Sequence, residues 1–289
     1  MMAVQTLNDF ARDLSISGDG VIRFRGQEVA SEPDGDKLHT ALSACVYQYL
    51  YSHPDGQGGD AFRPDAPDEG LIADFENANR VRGFEQDGWQ IQSLLDRGAV
   101  LATRQGMVRR FQPGQYLCAD NHFPLRTGSM IRVFHIAGSS GAQPGFYHVF
   151  GPDSCDVAEG LQLVRLYFNV KLDKAAEFVR LMTGALTRYR IAFNFKISTR
   201  IYDFTRADTA VIYIPYRMFA PLTLVLETVQ PQLAALLSPD VPYFTKKLAD
   251  GGGVAEEPEG QGSFGSSRSE LVAHALLEAR EGDGICPDR

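Results

Sequence analysis

The stretch Phe195 to Ile214 reads FKISTRIYDFTRADTAVIYI: two apolar runs of strand character, with cations set inside and between them. Strand alternation puts Phe193 and Phe195 on one side of the first run and Asn194, Lys196 and Ser198 on the other. Lys196 thus stands opposite its apolar neighbours. Arg206 comes just ahead of the second run, DTAVIYI, which carries Tyr213, and Arg200 falls in the connection. Upstream, in LQLVRLYFNV (161–170), the same alternation groups Leu163, Arg165 and Tyr167 against Val164, Leu166 and Phe168. Downstream, SFGSSR (263–268) places Arg268 at a glycine- and serine-rich helix start.

Any one of these cations, taken alone, reads as solvated or snorkelling on the polar face of a half-buried strand. Together they read differently. Arg165, Lys196 and Arg206 come from neighbouring strands, and Arg268 adds a helix start. Guanidinium forks and free helix N–H groups both match the oxygens of a phosphate. Partial burial and neighbouring positive charge also disfavour the ammonium form of a lysine, so Lys196 is a candidate base.

Working outward, the chain reads as α+β, with mixed or antiparallel sheets and packed helices. KLHTALSACVYQYLY (37–51) has helical periodicity, residues 52–70 read as a loop dense in Pro, Gly and Asp, and LIADFENANR (71–80) resumes the helix. Short β-branched and aromatic runs broken by glycine follow as far as SMIRVFHIA (129–137). AGSSGAQPG (137–145) clusters Gly, Ser and Pro and suggests a division into residues 1–140, for support and for peptide or partner binding, and a catalytic unit at 141–289. Beyond it GFYHVFG and LQLVRLYFNV read as strands, 173–189 as a helix capped by Asp173, 191–198 and 208–214 as strands, and 219–237 and 266–280 as helices. LADGGGVAEEPEGQGSFGSSR reads as an irregular glycine-rich tract. It lacks the Gly-Lys-Ser/Thr ending of a phosphate loop.

Composition bounds the function. The chain has 289 residues, 44% of them hydrophobic, and a net charge of −8. That is an ordinary globular core on an acidic protein, which argues against a nucleic-acid-binding surface. Cys45, Cys118, Cys155 and Cys286 are widely spaced, so neither a zinc site nor a disulfide framework is signalled, and Cys155 reads as an inert thiol. With no signal-like N-terminus and no apolar run long enough to span a bilayer, the expectation is a cytoplasmic protein off the membrane. Lys246 and Lys247 read either as further phosphate contacts or as the start of a loop. His135 and His148 read as structural histidines or, His148 especially, as a proton donor. The tyrosines at 47, 49 and 51 cannot share one helix face, which leaves a core-and-surface split or an exposed aromatic patch.

The second half carries a resemblance. PGFY (144–147), RLYFNV (165–170), FKI (195–197), RADTAVIYI (206–214), VPYFTKKLADGGGVAEEP (241–258) and SFGSSR (263–268), with ANRVRGFEQDGW (78–89) more weakly, resemble the type III secretion effector family of the HopA kind. Members of that family also occur in gene clusters for lanthipeptides and thioamide peptides. The resemblance implies a lyase acting on phosphoserine or phosphothreonine of a precursor peptide, leader and core, beside a kinase-like protein with which it would form a heterodimer. A more distant likeness to the phosphothreonine lyase effectors implies the fold of the C-terminal half and the roles. RLY stands where K-F-H would, giving Arg165 as phosphate ligand and Tyr167 at the acid histidine, while FKIS stands at W-K-V-T and gives Lys196 as the base. Arg206, Tyr213 and Arg268 fall at phosphate-binding positions, and no cofactor or metal is implied. The alternative is a non-catalytic effector-like or scaffold protein that binds a peptide or host partner.

Overall fold

The computed structural model describes residues 6–32, 35–55, 66–119, 124–151, 162–256, 263–281 and 284–285. Cys155 and Cys286, considered above, lie outside them. Thr6 opens helix α1 (Leu7–Asp13) with a capping box completed by Asp9, which satisfies backbone N–H groups that have no partner within the helix. Strands β1 (Leu14–Ile16), β2 (Val21–Phe24) and β3 (Gln27–Ser31) form a small antiparallel sheet. Helix α2 (Gly35–Val46) runs on into one π-helical turn, Tyr47–Tyr51. Helix α3 (Glu69–Ala78) starts where the Asp68 carboxylate accepts a hydrogen bond from Leu71 N at 2.8 Å.

A five-stranded antiparallel sheet follows: β4 (Phe84–Leu94), β5 (Val100–Arg104), β6 (Met107–Phe111), β7 (Tyr116–Cys118) and β8 (Met130–His135), in the order β6-β5-β4-β8-β7. Its core is its own, built on Trp89, Ile91, Val100, Ala102, Phe111, Ile131 and Val133.

The principal sheet has seven antiparallel strands. They are β9 (Gly138–Gln143), β10 (Phe146–Phe150), β11 (Leu163–Phe168), β12 (Asn194–Ser198), β13 (Ala210–Pro215), β14 (Lys246–Ala249) and β15 (Gly252–Glu256), ordered β14-β15-β11-β13-β12-β10-β9. Helices α4 (Ala175–Arg188) and α5 (Phe219–Leu236) cover one face with α3. There Val164, Leu166, Phe168, Phe195, Ile197, Ile212 and Ile214 meet Phe75, Phe178, Met182, Leu186 and Leu222 in the main core. Helix α6 (Phe264–Glu278) packs beside α2, and its Ala273 and Leu276 join α1, β1 and β2 in another core. A short pairing of β16 (Arg280–Glu281) with β17 (Gly284–Ile285) ends the description.

Three expectations are corrected. Asp173 lies in a 3₁₀ turn, Leu172–Lys174, ahead of α4, whose N-cap is Lys174 with no side-chain bond. Residues 138–143, within the tract read as a boundary, form β9, hydrogen-bonded to β10. The glycine-rich tract contains the hairpin β14–β15, and β15 pairs with β11 from Val164↔Glu256 to Phe168↔Gly252. Gly251 makes that hairpin's turn at φ +68°, where any other residue is strained, and a Cβ on it would strike the Ser238 carbonyl.

Candidate functional site

The second face of the seven-stranded sheet carries the chemistry, because every core residue of β10–β13 alternates with a residue pointing the other way. Register stacks those residues into two rows. One runs His148, Lys196, Val211, Tyr167, Gly253; the next runs Phe150, Asn194, Tyr213, Arg165, Ala255. Lys196, Tyr213, Arg165 and Tyr167, read from separate stretches of sequence, therefore stand on adjoining strands.

Tyr213 sits between two cations. The Arg165 guanidinium carbon lies 5.3 Å from the Tyr213 ring centroid and the Lys196 Nζ 5.9 Å from it. Such contacts hold a cation by the negative face of the ring. Lys196 Nζ is also 4.6 Å from the Phe146 ring and donates to Gln143 Oε1 at 3.4 Å. Arg165 is 6% exposed, whereas Tyr213 and Lys196 are half-buried.

The other half of this face is covered. Tyr51 and Phe264 pack with Tyr167 and Val211, and Tyr47 lies against them. The π-helical turn supplies Tyr47 and Tyr51 together, their rings 5.0 Å apart, while Tyr49 turns away to Phe24. The tyrosine triplet is thus divided between two cores. A wide turn of this kind often marks a functional segment. Helix α6 starts on top of these rings, capped by Ser263, whose Oγ accepts from Ser266 N at 3.0 Å. Arg268 stands over the Phe264 ring at 5.1 Å, and Phe264 packs on Tyr167 at 6.1 Å.

Gly265 permits that approach. A Cβ there would come within 2.8 Å of Tyr47 Cε2 and nearer still to the Tyr51 ring. Gly265→Ala is therefore expected to lift the first turn of α6 and to destabilise the fold by about 1–3 kcal/mol, the range for overpacking. The midpoint of urea unfolding measures it; an unchanged midpoint would show that the rings yield freely.

Four of the expected site residues are placed differently. Tyr167 is buried, and burial raises its pKa against the opposing pull of Arg165, so its phenol stays protonated and is a weaker acid than an ordinary tyrosine. His148 faces Lys196 across the β10–β12 ladder; burial first, then the Lys196 charge, lowers its pKa to about 4. It is neutral at pH 7 and has no imidazolium proton to give. Lys246 pairs with Val254, which packs on the main core, so it lies on the wrong face of an exposed edge strand; Lys247 is held by Asp250 at 2.7 Å.

Arg206 is the fourth. Its Nε and Nη2 donate to the two carboxylate oxygens of Asp208, each at 2.9 Å, and Nη2 also donates to the Tyr47 hydroxyl at 2.8 Å. Burial opposes its charge, but Asp208, Tyr47 and Asp203 more than offset this, and its pKa is raised. The fork is already filled by a carboxylate. Arg206 lines a cavity of about 460 Å³ between α2, β3 and α6, with Tyr47, Gln48, Ser266 and Glu270, whereas none of Lys196, Tyr213 and Arg165 lines it. It positions Tyr47 rather than meeting an anion beside Lys196. Asp208 is the residue sequence reasoning missed, and the R-A-D order at 206–208 was the available signal; Tyr47 and Tyr51 were singled out, but not as partners of Arg206 and Tyr167.

His148 gives this face a pH dependence. Its folded pKa is depressed, so the unfolded chain binds the proton more readily as pH falls from about 6.5 toward about 4. The stability that His148 contributes is present above that window and lost through it. Because the ring is only partly buried, the effect is well below the full linkage value. His53 and His135 are also lowered, first by burial, and contribute in the same direction. The expected result is that His148→Gln loses less melting temperature than the parent between pH 6.5 and 4.5.

Among the described residues no group of His, Cys, Asp or Glu is arranged to hold a metal ion, and no helix is long and apolar enough to cross a membrane. Burial pushes the Cys45 thiol up to about 12, so it is inert.

Comparison with known proteins bears on the same part of the chain. The model of the HopA1 effector protein family matches residues 137–285. Among solved structures, the effector protein from Pseudomonas syringae pv. tomato strain DC3000 is similar at 14% identity and a TM-score of 0.46, over 86% of this chain and 81% of that one. The effector protein from Pseudomonas syringae pv. syringae strain 61 is similar at 17% identity and a TM-score of 0.43, over 75% and 76% of the two chains. No curated protein sequence matches.

Proposed function

The chain belongs to the HopA1 effector protein family, and on that premise we propose that it is a phosphoserine/phosphothreonine lyase acting on a ribosomally made precursor peptide phosphorylated by a kinase-like partner. The observation that carries this reading is the line Lys196, Tyr213, Arg165 across three adjacent strands of one sheet face; Arg268, over Phe264 in the first turns of α6, is the second arginine the reading assigns to the phosphate. It sets a base candidate and a buried arginine on either side of one tyrosine ring.

The reaction is a β-elimination. Lys196, as the amine, takes the Cα proton of the phosphorylated residue; the electron pair left on Cα forms the Cα=Cβ double bond as the Cβ–O bond breaks. Phosphate leaves with both electrons of that bond, and the residue becomes dehydroalanine or dehydrobutyrine. Arg165 and Arg268 oppose the charge gathering on the phosphate oxygens, which is where preorganised donors are most effective. With Tyr167 buried and His148 neutral, the reading assigns to the Tyr213 hydroxyl the hydrogen bond to the departing oxygen. Arg206 and Asp208 hold Tyr47 beneath the start of α6 and so position Arg268 indirectly.

Incubation of the protein with a synthetic phosphopeptide, with and without the kinase-like partner, tests this by mass spectrometry. The expected product has lost one phosphoric acid and adds a thiol at the new double bond. Phosphate release that leaves serine or threonine would show hydrolysis instead. Binding without any mass loss would favour a non-catalytic scaffold.

A further inference from the structure

The five-stranded sheet β4–β8 takes no part in the site above, and its outer strand β6 is an unusual edge. On one side it pairs with β5 without a bulge, from Val100↔Phe111 to Arg104↔Met107; among the described residues no second strand pairs with it. The pairings of β4 with β5 and with β8, in contrast, both shift register. Bulges, short length and inward charges are the usual ways a sheet blunts its edge. Strand β6 instead runs regular for five residues and exposes Met107 and Val108 at 38% and 43%.

Charge distinguishes this edge from the rest of the surface. Residues 84–135 hold six arginines, no lysine and four acidic residues, in a chain whose net charge is −8. Glu85 and Asp87 are both engaged by Arg132, with contacts at 3.4 Å and 2.7 Å. On β6, Arg110 projects into solvent beside Val108, and Arg109 reaches the His135 imidazole at 3.3 Å on the other face. Successive residues of an added strand point to opposite faces of the sheet. Arg110 therefore stands exposed on one face of this edge, and Arg109, engaged with His135, stands on the other.

We propose that β6 binds an extended acidic peptide by strand addition, its main chain pairing with Met107–Phe111 and its carboxylates meeting Arg110 and Arg109. Main-chain hydrogen bonds would supply affinity, and the alternating charges selectivity. Residues 84–135 carry a net positive charge in a chain whose net charge is −8, which favours an acidic occupant over a basic one on this sheet. The inference stands apart from the lyase chemistry, which lies on another sheet.

Fluorescence anisotropy on the full chain tests it, with a labelled peptide alternating glutamate with threonine and valine, and a second in which lysine replaces glutamate. The acidic peptide is expected to bind at least about tenfold more tightly than the basic one and to weaken as salt rises. Arg110→Glu, at an exposed position, is expected to remove that preference, with Arg110→Gln as the milder variant and circular dichroism confirming the fold. Amide exchange at Met107–Phe111 should slow on binding, and Lys196→Ala should leave all of this unchanged. Equal affinity for the two peptides, or protection away from β6, overturns the proposal. So does a dimer in sedimentation that Arg110→Glu separates, since a second copy would then be the occupant.

Discussion

Lys196→Ala is expected to slow phosphate release from a phosphoserine or phosphothreonine peptide by about 10²–10⁴-fold, the usual contribution of a general base, while the peptide still binds. The geometry gives the reason. Lys196 is half-buried on β12, between the Phe146 ring and Tyr213, and its replacement leaves the main core on the opposite face intact. Phosphorylated peptide should accumulate in single-turnover assays, with kcat falling and KM little changed. Lys196→Arg should be as slow as the alanine variant, because a guanidinium cannot give up its proton near neutral pH. Release at the parental rate by either variant would remove Lys196 from the chemistry. Arg165 and Arg268 variants separate the alternative reading, since a scaffold loses peptide affinity with no elimination to lose.

Asp208→Ala is expected to destabilise the protein by about 3 kcal/mol, at the lower end of the range for breaking a buried ion pair. Arg206 is only 22% exposed and Asp208 7%. Among the described residues, the guanidinium then keeps the Tyr47 hydroxyl and ring and a distant Asp203 at 3.9 Å. The loss should extend to the site, because Tyr47 and Tyr51 form the floor on which α6 begins. Urea unfolding gives the stability, and peptide affinity reports the displacement of Arg268. A double change, Arg206→Met with Asp208→Leu, should recover much of the stability, since well-packed apolar residues often replace such a pair at little cost. If Asp208→Ala unfolds at the parental midpoint, the pair is a surface contact and contributes nothing to the floor.

Much of the C-terminal sheet was legible because its strands alternate cleanly. In RLYF and NFKIS, residues that point to the core are apolar without exception, so the face carrying Arg165, Tyr167, Lys196 and Tyr213 could be read before any fold was known. The hairpin β14–β15 was not legible. Glycines have low strand propensity, and only the close approach of Phe168 and Thr245 to Gly252 and Gly253 explains why they stand in a strand. Asp173 failed as a cap for a related reason: the chain enters α4 through an extra 3₁₀ turn that periodicity does not reveal.

The sequence by itself determined which residues share a face of each strand, and with that the candidate base and the arginine beside it, since alternation is a property of the extended backbone. It could not assign partners across the fold. Arg206 reads as a phosphate ligand in one dimension and becomes a partner of Asp208 and Tyr47 in three, because a guanidinium takes the nearest carboxylate that packing buries with it. Tyr167 and His148 read as acids until tertiary burial made ionisation too costly for the one and protonation too costly for the other. Charge type is written in the chain; which charges are left to meet a ligand is decided only when distant segments pack together.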